Sequence, residues 1–242
     1  MFRLSTNMDQ LRLDRIIFIG RTFNEYIKMF NLNANMLRNK KLLDCPAGAC
    51  AFASKGKAMG IHIKSCDIAY YFDKQELFEK GKADINHAME GIKQTSNLYN
   101  WTYFNDIQEL KQARNQALEA CYSDMLINES DYLAVRLPDL PYENNSFDLL
   151  LSAHFLFMYA EHLDYEFHLA CLNEMLRVAK DEIRIFPVVD LSGKPYQYLH
   201  EILTYINDLG HETELIKVDY EFQKNAHTML KIKVNNNTSV LY

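Results

Sequence analysis

An acid, a tight loop and a second acid make up the first pattern capable of chemistry. Asp44 lies at the end of the short apolar run from Lys41 to Cys45, the compact segment Pro46-Ala47-Gly48-Ala49-Cys50 follows, and Asp67 ends the next alternating run in Ser65-Cys66-Asp67-Ile68. A tight loop after a strand lets backbone amides meet a ligand, and a carboxylate at the end of the neighbouring strand accepts hydrogen bonds from two ribose hydroxyls. That is the chemistry of holding a nucleoside-containing cofactor, with Asp44 either touching the ligand or ordering the loop amides. Cys45 and Cys50 flank the same loop, but no His or Cys stands at ligand spacing and none of the five cysteines forms a C-x-x-C pair. They read as small buried thiols, not a metal site, and free thiols point to a reducing compartment, the cytoplasm.

The surrounding pattern supplies elements to position these groups. Phe23, Tyr26, Ile27 and Phe30 recur at helical spacing between Arg21 and Asn31, with Thr22 as N-cap and Glu25 three residues on. Arg21 and Tyr26 either close the cofactor pocket or form a surface face. Ala51 to Met59 suits a helix between the first two strands. Residues 73–128 are helical in pattern, with Glu76 to Lys80, Asp84 to Thr95 and Asp106 to Leu126 as the better segments, far more than one crossover needs. Tyr99, Trp101, Tyr103 and Phe104 join them, as the inner face of a lid or as a packing seam.

Tyr132 to Leu137 predicts a third strand. Phe147 to Ala153 predicts a fourth, apolar on both faces and so central, and Glu182 to Val189 a fifth. Helices are expected over Leu163 to Val178 and Pro195 to Leu209, the latter closed by Gly210, before two strand-like runs, Glu212 to Phe222 and Thr228 to Val234. The order βαβαβαβαβαββ predicts an α/β fold: a doubly wound, mostly parallel sheet of about seven strands with a C-terminal β-hairpin and a helical insertion between strands two and three. Residues 1–242 are expected to form a single domain, with 1–40 as an N-terminal helical cap and 73–128 as the insertion.

The 242 residues are 48% hydrophobic and 24% charged, and 15 Tyr with 14 Phe exclude a disordered chain. A formal charge of -6 supplies no global field for phosphate backbones, so a small-molecule substrate is expected and nucleic acid is not. Met1 to Gly20 shows no uninterrupted apolar region of a signal peptide, and His154 breaks the longest apolar stretch, so no membrane span is expected.

Leu43-Asp44-Cys45-Pro46-Ala47-Gly48-Ala49-Cys50 resembles the Asp-x-Gly-x-Gly-x-Gly motif of the class I, Rossmann-like methyltransferases, which use S-adenosylmethionine, and Asp67 stands where that family's ribose-binding acid closes strand two. Leu140-Pro141-Tyr142, with Ser146-Phe147-Asp148, is similar to the family's Leu-Pro-Phe turn and the Ser-Phe-Asp that opens strand four. Leu172-Asn173-Glu174-Met175-Leu176-Arg177-Val178 is similar to the helix leading into strand five. The resemblance spans 42–186 and is nearest to a bacterial group with Ser-His-Phe-Leu-Phe-x-Tyr after strand four, here Ala153-His154-Phe155-Leu156-Phe157-Met158-Tyr159.

It implies methyl transfer from S-adenosylmethionine, held by Asp44, Pro46, Ala47, Gly48, Asp67, Ile68, Leu137 and Ser152. Residues just after strand four face the transferred methyl in that family, which makes His154 the candidate base and Tyr159 its orienting partner; the bland alternative for His154 is a core histidine bonded to a backbone carbonyl. Asp148 reads as structural. Pro46 and Cys50 replace two of the three motif glycines, and Arg136 occupies the position of the acid that binds the adenine amino group in many relatives, leaving adenine to backbone amides near Leu137 and Pro138. No Asn-Pro-Pro-Tyr motif follows strand four, which argues against amino methylation of adenine or glutamine. Two alternatives stand beside this reading. One is a catalytically inactive S-adenosylmethionine-binding regulatory or interaction protein, supported by the altered loop and Arg136. The other is an NAD(P)-dependent oxidoreductase, weakened by the missing G-x-G-x-x-G and Tyr-x-x-x-Lys patterns.

Overall fold

The computed structural model describes residues 17–236. The readings made for the first 16 residues, including the start of the expected cap, lie outside the described residues. The apolar runs form a seven-stranded sheet: β1 (Lys41–Asp44), β2 (His62–Asp67), β3 (Tyr132–Ala134), β4 (Phe147–Ala153), β5 (Ala179–Phe186), β6 (Glu212–Lys217) and β7 (Thr228–Lys233). Their order is β3-β2-β1-β4-β5-β7-β6. The first five run parallel, and β7 is antiparallel to both β5 and β6. Leu42 and Leu43 in β1 and Leu150 and Leu151 in β4 are fully buried, as strands covered on both faces require. The winding reverses between β1 and β4, and in such sheets the ligand crevice opens beyond the carboxyl ends of the strands at that point.

The helices are α1 (Phe23–Met29), α2 (Ala34–Leu37), α3 (Phe52–Ala58), α4 (Lys74–Gln94), α5 (Ile107–Ile127), α6 (Tyr165–Val178) and α7 (Leu199–Asp208). The expected insertion is present as two helices, not three: α4 and α5 start on the N-caps Asp73 and Asp106 and pack together. The helix runs on through Gly81 because a Cβ there would sit 2.7 Å from a Leu118 methyl, so close helix contact outweighs the glycine's cost of about 1 kcal/mol. No helix of the described residues is long and apolar enough to cross a membrane.

Three expectations need correction. The alternating order implied a helix between strands three and four, but 135–146 is a loop that keeps the turn at Leu140-Pro141-Tyr142 and ends strand three at Ala134 instead of Leu137, and Pro138 and Pro141 oppose helical hydrogen bonding there. Strand five runs from Ala179 and stops before Pro187, which has no amide to donate to the ladder. Strand six ends at Lys217, well short of Phe222, because 218–222 leaves the ladder to fold over the crevice: Tyr220 bonds to α1 and the Phe222 carbonyl accepts from Asn100 N at 2.7 Å.

Candidate cofactor and acceptor site

The loop after β1 is fastened by its own backbone. Cys45 N donates to the Leu151 carbonyl and Ala47 N to that of Cys66, each at 2.9 Å, so the loop stays in the plane of the sheet for one more residue on each side. Asp67 then staples it: Oδ2 accepts from Gly48 N and Oδ1 from Ala69 N, both at 2.8 Å. Gly48 has φ +56°, where an L side chain is strained, and a Cβ would come 3.1 Å from the Ile19 carbonyl, so the one motif glycine left in this chain is the one the turn requires. Burial raises the Asp67 pKa against the lowering effect of its two amide donors.

Two cavities meet at this staple, sharing Pro46, Asp67 and Phe155 as walls. One is a mostly apolar slot of about 250 Å³ between Ile68, Val135, Leu137, Leu163 and Phe167, with Arg136 at its side. The other, about 150 Å³, lies over the ends of β1 and β4 and is walled by Arg21, Gly48, His154, Tyr159, Tyr99 and Arg114, among others. The structure therefore brings together Pro46, Ala47, Gly48, Asp67, Ile68, Leu137, His154 and Tyr159 on cavity walls. Asp44 and Ser152 lie behind those walls. Asp44 is buried, accepts from the Tyr26 hydroxyl at 3.0 Å and is pushed well above the usual carboxylate range by burial, while Ser152 is fully buried with an unpartnered Oγ. Asp148 takes the structural role expected of it, accepting from Lys41 N at 2.7 Å.

His154 differs from the core histidine of this protein. His168 is fully buried with both ring nitrogens against backbone carbonyls, those of Asp164 and Leu156. His154 instead reaches the cavity with a buried Nδ1 that has no partner, and its backbone sits at φ +52°, fixed by the hydrogen bond its N–H donates to the Phe186 carbonyl at 2.6 Å. A non-glycine residue held in the left-handed region costs on the order of 1 kcal/mol or more, and such strain concentrates at functional sites. Burial, helped by the Arg21 and Arg114 charges, holds the imidazole well below its usual range, so it is neutral at neutral pH. Burial likewise pushes the Tyr159 hydroxyl up to about 12 and keeps it protonated.

Three elements roof the second cavity. The first is the segment before α1: a Cβ on Gly20 would lie 1.8 Å from the Ala49 carbonyl oxygen, Ala51 N donates to the Arg21 carbonyl, and Phe18 N donates to buried Asp84. The second is the α4–α5 pair, and the third the connection between β6 and β7. They converge on Glu25, which besides completing the capping box with Thr22 accepts both Arg114 Nη1 (2.7 Å) and Nη2 (2.9 Å) and the Tyr220 hydroxyl (2.7 Å). Burial alone would raise the Glu25 pKa, and the Arg114 guanidinium outweighs it, bringing the carboxyl to about 2. Of the aromatic joint, Tyr99 faces the cavity and stacks on Phe222 at 4.8 Å, while Trp101, Tyr103 and Phe104 pack edge-on against Phe222 and Tyr220, mostly as a seam. Sequence reasoning missed Arg114 and Tyr220 altogether. The Thr22–Glu25 spacing marked a helix cap, but nothing in α5 signals that its arginine crosses to it.

No family model matches the chain. It is 33% identical over 227 residues to "Uncharacterized protein MJ0045" of Methanocaldococcus jannaschii, a match covering 93% of this chain and 100% of that one. The chain belongs to the same family as this archaeal protein. Among solved structures it is similar to magnesium protoporphyrin IX methyltransferase from Synechocystis with bound SAM (10% identity, 83% of this chain and 73% of that one, TM-score 0.44). It is also similar to a SAM dependent methyltransferase from Aquifex aeolicus (15%, 86% and 91%, TM-score 0.41) and to precorrin-6y C5,15-methyltransferase from Geobacter metallireducens (10%, 86% and 84%, TM-score 0.41). All three likenesses are distant.

Proposed function

We propose that this protein transfers the methyl group of S-adenosylmethionine to a small molecule held in the cavity beside His154. The observation that carries the reading is the position of Asp67 at the junction of two cavities, one almost wholly apolar and one that adds Arg21, Arg114, His154 and Tyr159 to apolar walls, directly behind the loop that resembles the family's first motif. Such a junction suits a ligand with a flat base at one end and a reacting group at the other. Ile68, Val135 and Leu137 would flank the base, Asp67 would take the ribose hydroxyls on lone pairs left over from its two amide bonds, and Pro46, Ala47 and Gly48 would line the passage. The unpartnered His154 Nδ1 on the cavity wall marks where a further polar group is accommodated. When bound, the cofactor supplies an electrophilic methyl group. His154, neutral and unpartnered, accepts a proton from the acceptor atom, and Tyr159, protonated, orients it as a donor. The Glu25-centred roof excludes water and aligns the acceptor, the main requirement of an in-line displacement.

A second reading, a protein that binds the cofactor without catalysis, is favoured by the loop itself, since the Ala47 and Gly48 amides are both already engaged within the protein. Calorimetric titration with S-adenosylmethionine, S-adenosylhomocysteine and NAD(H) tests the shared cofactor claim. Binding of the first two, weakened about tenfold or more in Asp67→Asn, is expected; binding of NAD(H) alone would overturn it in favour of an oxidoreductase. Turnover with radiolabelled methyl donor against a metabolite extract separates catalysis from binding.

A further inference from the structure

Among the charged groups on the roofed cavity, Arg21 stands apart. Its side chain makes a single long hydrogen bond, Nη1 to the Gly20 carbonyl at 3.3 Å, and its Nε is buried without a partner. Among the described residues no carboxylate lies within ion-pairing distance of it. Of the acids nearby, Glu25 is taken up by Thr22, Arg114 and Tyr220, and Asp67 turns one lone pair of each oxygen to the Gly48 and Ala69 amides and makes no ion pair with Arg21. Arg114, the other cation on the wall, is neutralised by Glu25. Arg21 is therefore the cavity guanidinium without a carboxylate contact, and its Nε is a buried donor left unpartnered, a costly arrangement unless an acceptor completes it. The backbone of Arg21 is pinned, its amide donating to Cys50 Sγ at 3.2 Å and its carbonyl accepting from Ala51 N at 2.9 Å, so the reach of the guanidinium is preset. A guanidinium matches a carboxylate with two parallel donors.

We propose that Arg21 is the carboxylate-binding group of this cavity. The carboxylate comes either from the amino-acid end of the nucleoside cofactor, in which case the inference rests on the cofactor reading above, or from an acceptor acid whose apolar body packs on Tyr99, Leu110 and Phe222. His154 beside it stays neutral and does not compete for the anion.

The test compares wild type, Arg21→Gln and Arg21→Lys, each first shown to melt like wild type. Calorimetry measures S-adenosylhomocysteine, 5′-methylthioadenosine, which keeps the nucleoside and sulfur but lacks the amino acid, and phenylacetate added to the methylthioadenosine complex. If the cofactor supplies the carboxylate, S-adenosylhomocysteine binds about tenfold to a hundredfold tighter than methylthioadenosine in wild type, the gap closes in Arg21→Gln and reopens in part in Arg21→Lys. If the acceptor supplies it, the gap survives in Arg21→Gln but phenylacetate binds wild type and not Arg21→Gln. Unchanged affinities for all three ligands in Arg21→Gln would overturn the proposal. Failure of both nucleosides to bind would overturn the cofactor reading instead, and phenylacetate binding to the free protein, lost in Arg21→Gln, would still uphold Arg21; its absence there would overturn both.

Discussion

In the proposed reaction Asp67 and His154 carry different parts of the chemistry. Asp67→Asn keeps the side chain's size but places an amide group against one of two backbone donors, so it is expected to loosen the loop and lower S-adenosylhomocysteine affinity about tenfold or more, read by calorimetry. His154→Ala is expected to cut turnover by roughly a hundredfold or more while leaving S-adenosylhomocysteine affinity near wild type, because the ring faces the acceptor side. An ordinary imidazole would show an inflection near pH 6.5 in kcat/KM. Here the folded-state pKa is depressed, so the activity limb belonging to His154 lies well below that pH and the profile is flat through neutrality. The same shift means that its contribution to stability is present above the unfolded pKa and lost as pH falls below it. Asp67 and the Pro46-to-Gly48 loop were legible in the sequence because strand ends are, whereas His154, just beyond strand four, was marked by the family resemblance. That Asp44 turns away to Tyr26 depends on packing from an earlier helix, which no local pattern encodes.

Among the elements, the roof is held by one buried ion pair and one close backbone crossing. Glu25→Gln leaves Arg114 buried without its charge partner and is expected to cost about 3–5 kcal/mol in chemical denaturation, with Tyr220 fluorescence or exchange reporting loss of the β6–β7 connection from α1. Since the Glu25 carboxyl is lowered from 4.5 to about 2, its stabilisation is complete above pH 4.5 and drains away as pH falls toward 2. Gly20→Ala drives a Cβ into the Ala49 carbonyl, a backbone atom that cannot swing aside, and is expected to cost about 1–3 kcal/mol or more and to weaken ligand binding by lifting the N-terminal segment from the loop. The elements themselves were largely visible as periodicity and caps. The early end of β6 was not, because Tyr220 and Phe222 continue an apolar pattern that suits a strand but find better partners on Glu25 and Tyr99.

On the scale of the whole molecule, a ligand bridging the slot and the roofed cavity would couple the sheet to its cap. S-adenosylhomocysteine at about 100 times its Kd is expected to stabilise the fold by about 2.7 kcal/mol, a rise in Tm of roughly 5–10 °C for a chain of this size, and a tenfold weaker Asp67→Asn is expected to lose about half of that rise at the same concentration. An unchanged Tm in wild type would speak against the shared site. The sequence by itself determined the class of sheet, its reversed terminal hairpin, the inserted helices and the loop with its second acid, because these follow from two- and 3.6-residue periodicities and turn chemistry that act over a few residues. Only the tertiary structure decided which polar groups share a cavity. Glu25, Arg114 and Tyr220 meet across 195 residues of chain, and Arg21 is left without a carboxylate contact because Glu25 is taken by Arg114, a long-range pairing that local sequence cannot contain.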